Sequence, residues 1–405
     1  MNHLLSLLLV AAALPAHAQW MIDSTTQAEC EKAAALAGPA GGTIPCASAS
    51  MVKQVADVVP PNPSGGVSIL AFGAVCDGVT DNNAAIAKAI TEAKAKSVPV
   101  LIPAGSCAYG DVITLDGVRL QGLGDTSILY ALNPERAAIV MTGSGSEVRS
   151  VRMSGRASKR SSKRESSRIV PVGGSNWVID GVLIDNAAGA GVHVAKGANN
   201  GVVSNNRIIG TLADAIHITG QSSYIQVIGN TVQDSGDDGI AVVSYQGDGG
   251  ITHHVTARNN TITDNRGGRS MSVVGGSDIL YEENRMTNNV KNACLYLSQE
   301  NSYKTYGVSN VVAQFNTLTN CGNKDNGHAA VMLFSDGAYG NASVRLYRND
   351  IVQTARPQLG GIRVFGPNTE TVVDSNRVTG ASLPLNIATP QVAVTPYTTG
   401  RSGVQ

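Results

Sequence analysis

The chain has no net charge: 30 Lys and Arg balance 30 Asp and Glu across 405 residues. That balance removes any global electrostatic case for nucleic acid or a membrane surface as a partner. Bulky aromatics are scarce, with 4 Phe and 2 Trp against 45 Gly. Such a composition suits tight turns and stacked aliphatic positions and argues against a helical bundle. Long apolar runs are missing beyond the first, Leu4 to Leu14, which is too short to span a bilayer. It leads into Ala16-His17-Ala18, a small-x-small cleavage site, so residues 1–18 read as a signal peptide and Gln19 as the mature start. A secreted or periplasmic protein, off the membrane once cleaved, is expected. No CxxC and no Cys/His cluster with zinc spacing occurs. The six cysteines allow many pairings; pairing in sequence order, Cys30–Cys46, Cys76–Cys107 and Cys294–Cys321, closes short loops and suits an exported chain.

What is present is repetition. The segments "VVSNNRIIG", "IQVIGNTVQD", "VTARNNTITD", "ILYEENRMTN", "VVAQFNTLTN", "VRLYRNDIVQ" and "TVVDSNRVTG" each hold an alternating apolar run, then Asn, then one residue, then an aliphatic. The Asn positions, 206, 230, 260, 284, 316, 349 and 376, are spaced by 24, 30, 24, 32, 33 and 27 residues. The shortest spacing matches one coil of a three-sided solenoid, and the longer ones carry loops. A second short run follows each Asn: "GIAV", "SMSV" and "GIRVF" are examples. Alternation over three to five residues means short strands with one buried face. The two-residue turns of antiparallel hairpins are missing. The expected fold is therefore all-β, a right-handed parallel β-helix, with the Asn side chains stacked at one corner about 4.8 Å apart.

Ahead of the repeats, Asp81 reads as an N-cap, and Ile86, Ala89, Ile90 and Ala93 fall at helical spacing. A solenoid ends in an open apolar disc, and an amphipathic helix there would cap it. The stretch from Val67 to about Leu129 resembles the opening segment of pectate-lyase-like β-helices, which include polygalacturonases and phage tailspikes. The expected organisation is a signal peptide (1–18), an Ala-, Gly- and Pro-rich extension (19–66), the β-helix (67–385) and an extended tail (386–405).

One insertion is basic. "GRASKRSSKRESSR" sets Arg156, Lys159, Arg160, Lys163, Arg164 and Arg168 against Glu165. It reads either as a solvated loop or as a clamp on an anionic polymer; without interleaved aromatics, nucleic acid is not expected.

Aligning the second strands of successive coils places Asp214, Asp238 and Arg269 at one position and His193, His217, Ala241, Ser272, Tyr296, Met332 and Arg363 in a column beside it. Strict alternation would turn Asp214 inward with Ile216, so the alignment requires a bend at the small residues Ala215, Gly239 and Ser270. Asp237 adjoins the group. Three converging carboxylates cannot all ionise easily, so one is expected to hold a proton while another serves as a base. Glycoside hydrolysis needs that division.

"LADAIHI", "SGDDGIAV" and "GGRSMSVVG" resemble, in order and spacing, the active-site segments of the polygalacturonase family, glycoside hydrolase family 28. The resemblance implies hydrolysis with inversion, Asp237 as general acid, and Asp214 with Asp238 activating water. Arg269 stands where that family has His, and the family's later Arg-x-Lys segment has no match. The departure opens a rival, β-elimination or epimerisation: either Asp214, Asp237 and Asp238 hold Ca²⁺ with Arg269 as base or as partner of a uronate carboxylate, or, in a metal-free version, Tyr296 or His217 serves as acid or base. No cofactor is expected for hydrolysis. His217, Tyr296, Tyr303, Lys304 and Arg363 are the candidate substrate contacts, and the expected partner is an acidic polysaccharide. A non-catalytic glycan-binding or tailspike-like protein is the alternative of another class.

Overall fold

A computed structural model of the chain describes residues 65–323, 325–353 and 360–396. Over that span the chain winds into a parallel β-solenoid. One coil is Asn199–Ser204, Arg207–Thr211 and Ile216–Ile218; the next is Ser223–Ile228, Thr231–Gln233 and Ile240–Val243. Each strand pairs in parallel with its counterpart, Asn199 with Ser223, Arg207 with Thr231 and Ile216 with Ile240. One face is an 11-stranded sheet running from Ile113–Asp116 to Leu385–Ile387, and the other two are joined into a 22-stranded network.

The expected corner ladder forms. Each Asn donates its backbone N–H and its side-chain amide to Oδ1 of the Asn one coil on. The amide bonds Asn206–Asn230, Asn230–Asn260, Asn260–Asn284, Asn284–Asn316, Asn316–Asn349 and Asn349–Asn376 are all 2.9 Å. The residue before each Asn turns the corner in the left-handed region, from Asn205 (φ 54°) to Ser375 (φ 52°), and only the one at 229 is glycine. A non-glycine residue there costs about 1 kcal/mol, which the buried ladder offsets at every coil.

Inside, aliphatic columns run the length of the solenoid. Val203, Val227, Ala257, Tyr281, Ala313, Leu346 and Val373 stack in register and are essentially inaccessible. The helix Asn83–Lys96 buries Ala85, Ile86, Ala89 and Ala93 at the N-terminal end, with Ile90 partly buried. Its N-cap is Asn82, not Asp81 as the sequence suggested. The Asn82 side chain turns inward onto Val75, Thr80 and Ala108, while Asp81 Oδ1 still accepts the Asn83 N–H at 3.0 Å.

The disulfides Cys76–Cys107 and Cys294–Cys321 form as expected; Cys30 and Cys46 lie outside the described residues, as do the expected signal peptide and most of the N-terminal extension. Pairing also continues past residue 385. Leu385–Ile387 pairs with Ile362–Val364 and Val392–Thr395 with Thr371–Asp374, so this part of the expected tail belongs to the solenoid. No described helix is long and apolar enough to cross a membrane.

Candidate active site

The 11-stranded face carries the predicted column. His193, His217, Ala241, Ser272, Tyr296, Met332 and Arg363 are register partners on consecutive strands. The chain bends at Ala215, Gly239 and Ser270 just before these strands begin. The bend releases Asp214, Asp238 and Arg269 from strict alternation and sets them at the edge of the same sheet. Backbone bonds keep them in step: the Ala215 N–H donates to the Asp238 carbonyl and the Gly239 N–H to the Arg269 carbonyl. Gly268 has a steric reason, since a Cβ there would run into the carboxylates of Asp237 and Asp238.

Carboxylate oxygens of Asp214, Asp237 and Asp238 lie within 4.8 Å of one another. Their surroundings differ sharply. Asp214 Oδ2 lies 2.8 Å from His217 Nδ1, and its Oδ1 accepts the Asp238 N–H at 2.9 Å. Burial works against its charge, but the His217 ring and that N–H outweigh it, and the carboxyl sits below the usual range. Burial likewise depresses His217, but Asp214 and the other two aspartates prevail and hold its ring above the ordinary imidazole value.

Asp238 is 4% exposed. One of its oxygens accepts the Arg269 N–H and the other the Ser272 hydroxyl, both at 2.5 Å. Burial, reinforced by Asp214 and Asp237 against the opposing pull of Arg269, pushes its carboxyl up to about 6. Asp237 is the open member of the trio, with about a third of its side chain exposed, and it meets Arg160 at 2.7 Å.

Arg269 is committed. Its guanidinium lies 3.3 Å from Asp238, 3.9 Å from Glu300 and 4.5 Å above the Tyr296 ring. Burial opposes its charge, yet Asp238 and Glu300 outweigh it and raise the group further. His193 stands edge-on to His217 at 5.1 Å and is driven down to about 3 by burial and by that second ring.

These groups line a cleft of about 410 Å³, together with Arg160–Lys163, Tyr245, Glu300 and Tyr303. Of the candidate substrate contacts, His217 and Tyr303 line it and Tyr303 is two-thirds exposed. Tyr296 does not; it is 4% exposed beneath Arg269, and its hydroxyl donates to Glu300 at 2.9 Å. Lys304 is exposed outside the cleft, where its carbonyl accepts the Gln246 N–H. Arg363 lies two coils beyond Tyr296, over Phe365, and donates to the Gly327 carbonyl.

The basic insertion is held at four of its six bases, Arg160 among them, while Arg156 and Lys159 are exposed. Arg168 is buried on the Asn186 carbonyl, Lys163 pairs with Glu135 and Arg164 with Glu165. Sequence reasoning missed Arg160 as a member of the aspartate site; its only signal was the run of bases. It also missed Glu300, whose loop it had marked through Tyr303 and Lys304.

A Ca²⁺ ion takes six to eight oxygens. Here both oxygens of Asp238 and both of Asp214 already face protein donors, Asp237 faces Arg160, and a second guanidinium adjoins the trio. The donor set does not suit that ion.

The family model described as rhamnogalacturonase A/epimerase, pectate lyase-like, matches residues 66–294. No curated protein matches the chain in sequence. Among solved structures, the catalytic unit of a thermostable GH87 alpha-1,3-glucanase from Streptomyces thermodiastaticus is similar at 18% identity, covering 86% of this chain and 71% of that one, with a TM-score of 0.60. The A-module of the mannuronan C-5 epimerase of Azotobacter vinelandii is similar at 16% identity over 81% and 99%, TM-score 0.59. The Dettilon tailspike protein is similar at 19% identity over 80% and 68%, TM-score 0.59. At these identities the likeness is one of fold.

Proposed function

Because the chain belongs to the rhamnogalacturonase A/epimerase, pectate lyase-like family, we propose that it is an exported enzyme that hydrolyses a polysaccharide containing uronic acid. One observation carries this reading: two consecutive coils bring three carboxylates within 4.8 Å, and two of them, Asp214 and Asp238, are shifted in opposite directions by their surroundings. Two disulfides suit an oxidising compartment.

Asp237, the exposed member, gives its proton to the glycosidic oxygen. Asp214 and Asp238 lie deeper and together take a proton from the attacking water. Their spacing is tighter than the roughly 6.5–9.5 Å of a usual inverting pair. Inversion therefore requires Asp237 to move outward from Arg160 and admit the water. Direct attack by water then inverts the anomeric carbon, and proton NMR of the first product anomer checks this.

Elimination and epimerisation both need a base beside the uronate carboxylate. Arg269 is a poor one, because Asp238 and Glu300 hold its proton more tightly than usual, and the aspartates are already engaged by protein donors that leave Ca²⁺ a poor fit. Incubation with polygalacturonate and alginate is expected to release reducing ends from at least one polymer, without an ultraviolet-absorbing unsaturated uronate. EDTA leaves that rate unchanged. Chelator-sensitive absorbance would instead establish a lyase.

The pH dependence follows from Asp238. It must be ionised to share the base role, and its carboxyl gains a proton below about 6. The profile of kcat/KM is therefore expected to fall about tenfold per pH unit as pH drops below that value. A profile flat between pH 4 and 7 would remove Asp238 from the base side.

A further inference from the structure

Four acids face the cleft: Asp214, Asp237, Asp238 and Glu300. A polyanion entering it must find a cation that is free to turn toward it. Arg269 cannot serve, since its fork is divided between Asp238 and Glu300 and its plane lies on Tyr296. Lys163 lies on the cleft wall but points to Glu135, at 2.5 Å. Arg168 is wholly buried on a backbone carbonyl. Arg160 differs from all three. It lines the cleft, more than half of its side chain is exposed, and its hydrogen bond is one NH2 contact at 2.7 Å to Asp237, itself partly exposed.

That contact joins the basic insertion to the trio across 77 residues of sequence. A guanidinium held by one exposed carboxylate exchanges it readily for another, because both ends stay solvated and the pairing itself is weak. The planar fork also takes a carboxylate through two parallel bonds, where Asp237 uses one. We propose that Arg160 reads the charge of the substrate, exchanging Asp237 for the carboxylate of a uronic acid unit as the polymer enters. The inference rests on the hydrolytic reading of the same cleft and adds to it the residue that recognises the uronate carboxylate. The exchange also frees Asp237 from its cation, the state in which it can carry a proton to the leaving group.

The test compares the full-length protein with Arg160→Gln and Arg160→Lys. Turnover is measured on polygalacturonate and alginate, each native and after chemical reduction of the carboxyl groups to neutral hydroxymethyl groups. Binding of oligogalacturonate and oligomannuronate is measured by calorimetry. The wild type is expected to prefer the native polymer. Arg160→Gln is expected to raise KM on it by about tenfold or more with a smaller effect on the reduced one, so that the preference collapses toward unity, and Arg160→Lys restores part of it. An equal loss on native and reduced polymers would assign Arg160 a structural role and overturn the proposal, as would a wild-type preference for the neutral polymer. Should no polymer be cleaved while the uronate oligomers bind in an Arg160-dependent way, the hydrolytic reading fails and charge reading by Arg160 stands. Cleavage with a preference that ignores Arg160 is the reverse result. Absence of both binding and cleavage overturns both.

Discussion

Asp238→Asn is expected to reduce turnover by about a thousandfold or more while leaving the solenoid folded. A general base contributes roughly 10²- to 10⁴-fold, and Asn keeps the size of the side chain while removing the charge. Asp237→Asn is expected to do the same from the acid side. Asp234→Asn is the control, because Asp234 is paired with Arg266 outside the cleft, and its rate should stay within about twofold. The assay belongs at pH 7, for a reason of linkage. The folded carboxyl of Asp238 is raised to about 6, above an unfolded value near 4. Its stabilising contribution is therefore fully present only below about pH 4 and is lost as pH rises through 6. Exchanging the carboxylate for a neutral amide costs least stability above that point, and Glu300 still faces Arg269, so circular dichroism at pH 7 should still report a folded solenoid. Full activity in both aspartate variants, with reducing ends still released, would sink the site.

The second large effect concerns stability. Asn260→Ala is expected to destabilise the protein by about 3 kcal/mol or more, from the loss of bonds whose partners stay buried. Asn260 is wholly inaccessible. Its amide donates to Asn284 Oδ1 and to the Val227 carbonyl, and its Oδ1 accepts both the N–H and the amide of Asn230. Alanine leaves those groups facing a void. Asn260→Asp should fare no better, since one carboxylate oxygen would then face two acceptors. Asn376 ends the ladder and is only partly buried, so Asn376→Ala should cost well under half as much. Thermal or urea melts of the three variants test this ranking, and equal losses at 260 and 376 would contradict the ladder as a source of stability.

The solenoid was legible because its signals are local and recur. A period of two marks each strand, one Asn marks each corner, and stacking like on like turns sequence spacing into register. The column from His193 to Arg363 and the meeting of Asp214 with Asp238 follow from that register. The need for a bend at Ala215, Gly239 and Ser270 was legible for the same reason.

The loops obey no such rule. Only the tertiary structure brings Arg160 onto Asp237, because the path of an insertion depends on what it packs against. Only packing places Glu300 beside Arg269 and Tyr296 beneath it, and decides that the pairing runs on to Thr395. The unequal hold on protons is also a tertiary fact: Asp214 and Asp238 are one residue type, and burial together with nearby charge, neither written in the local sequence, sets them apart.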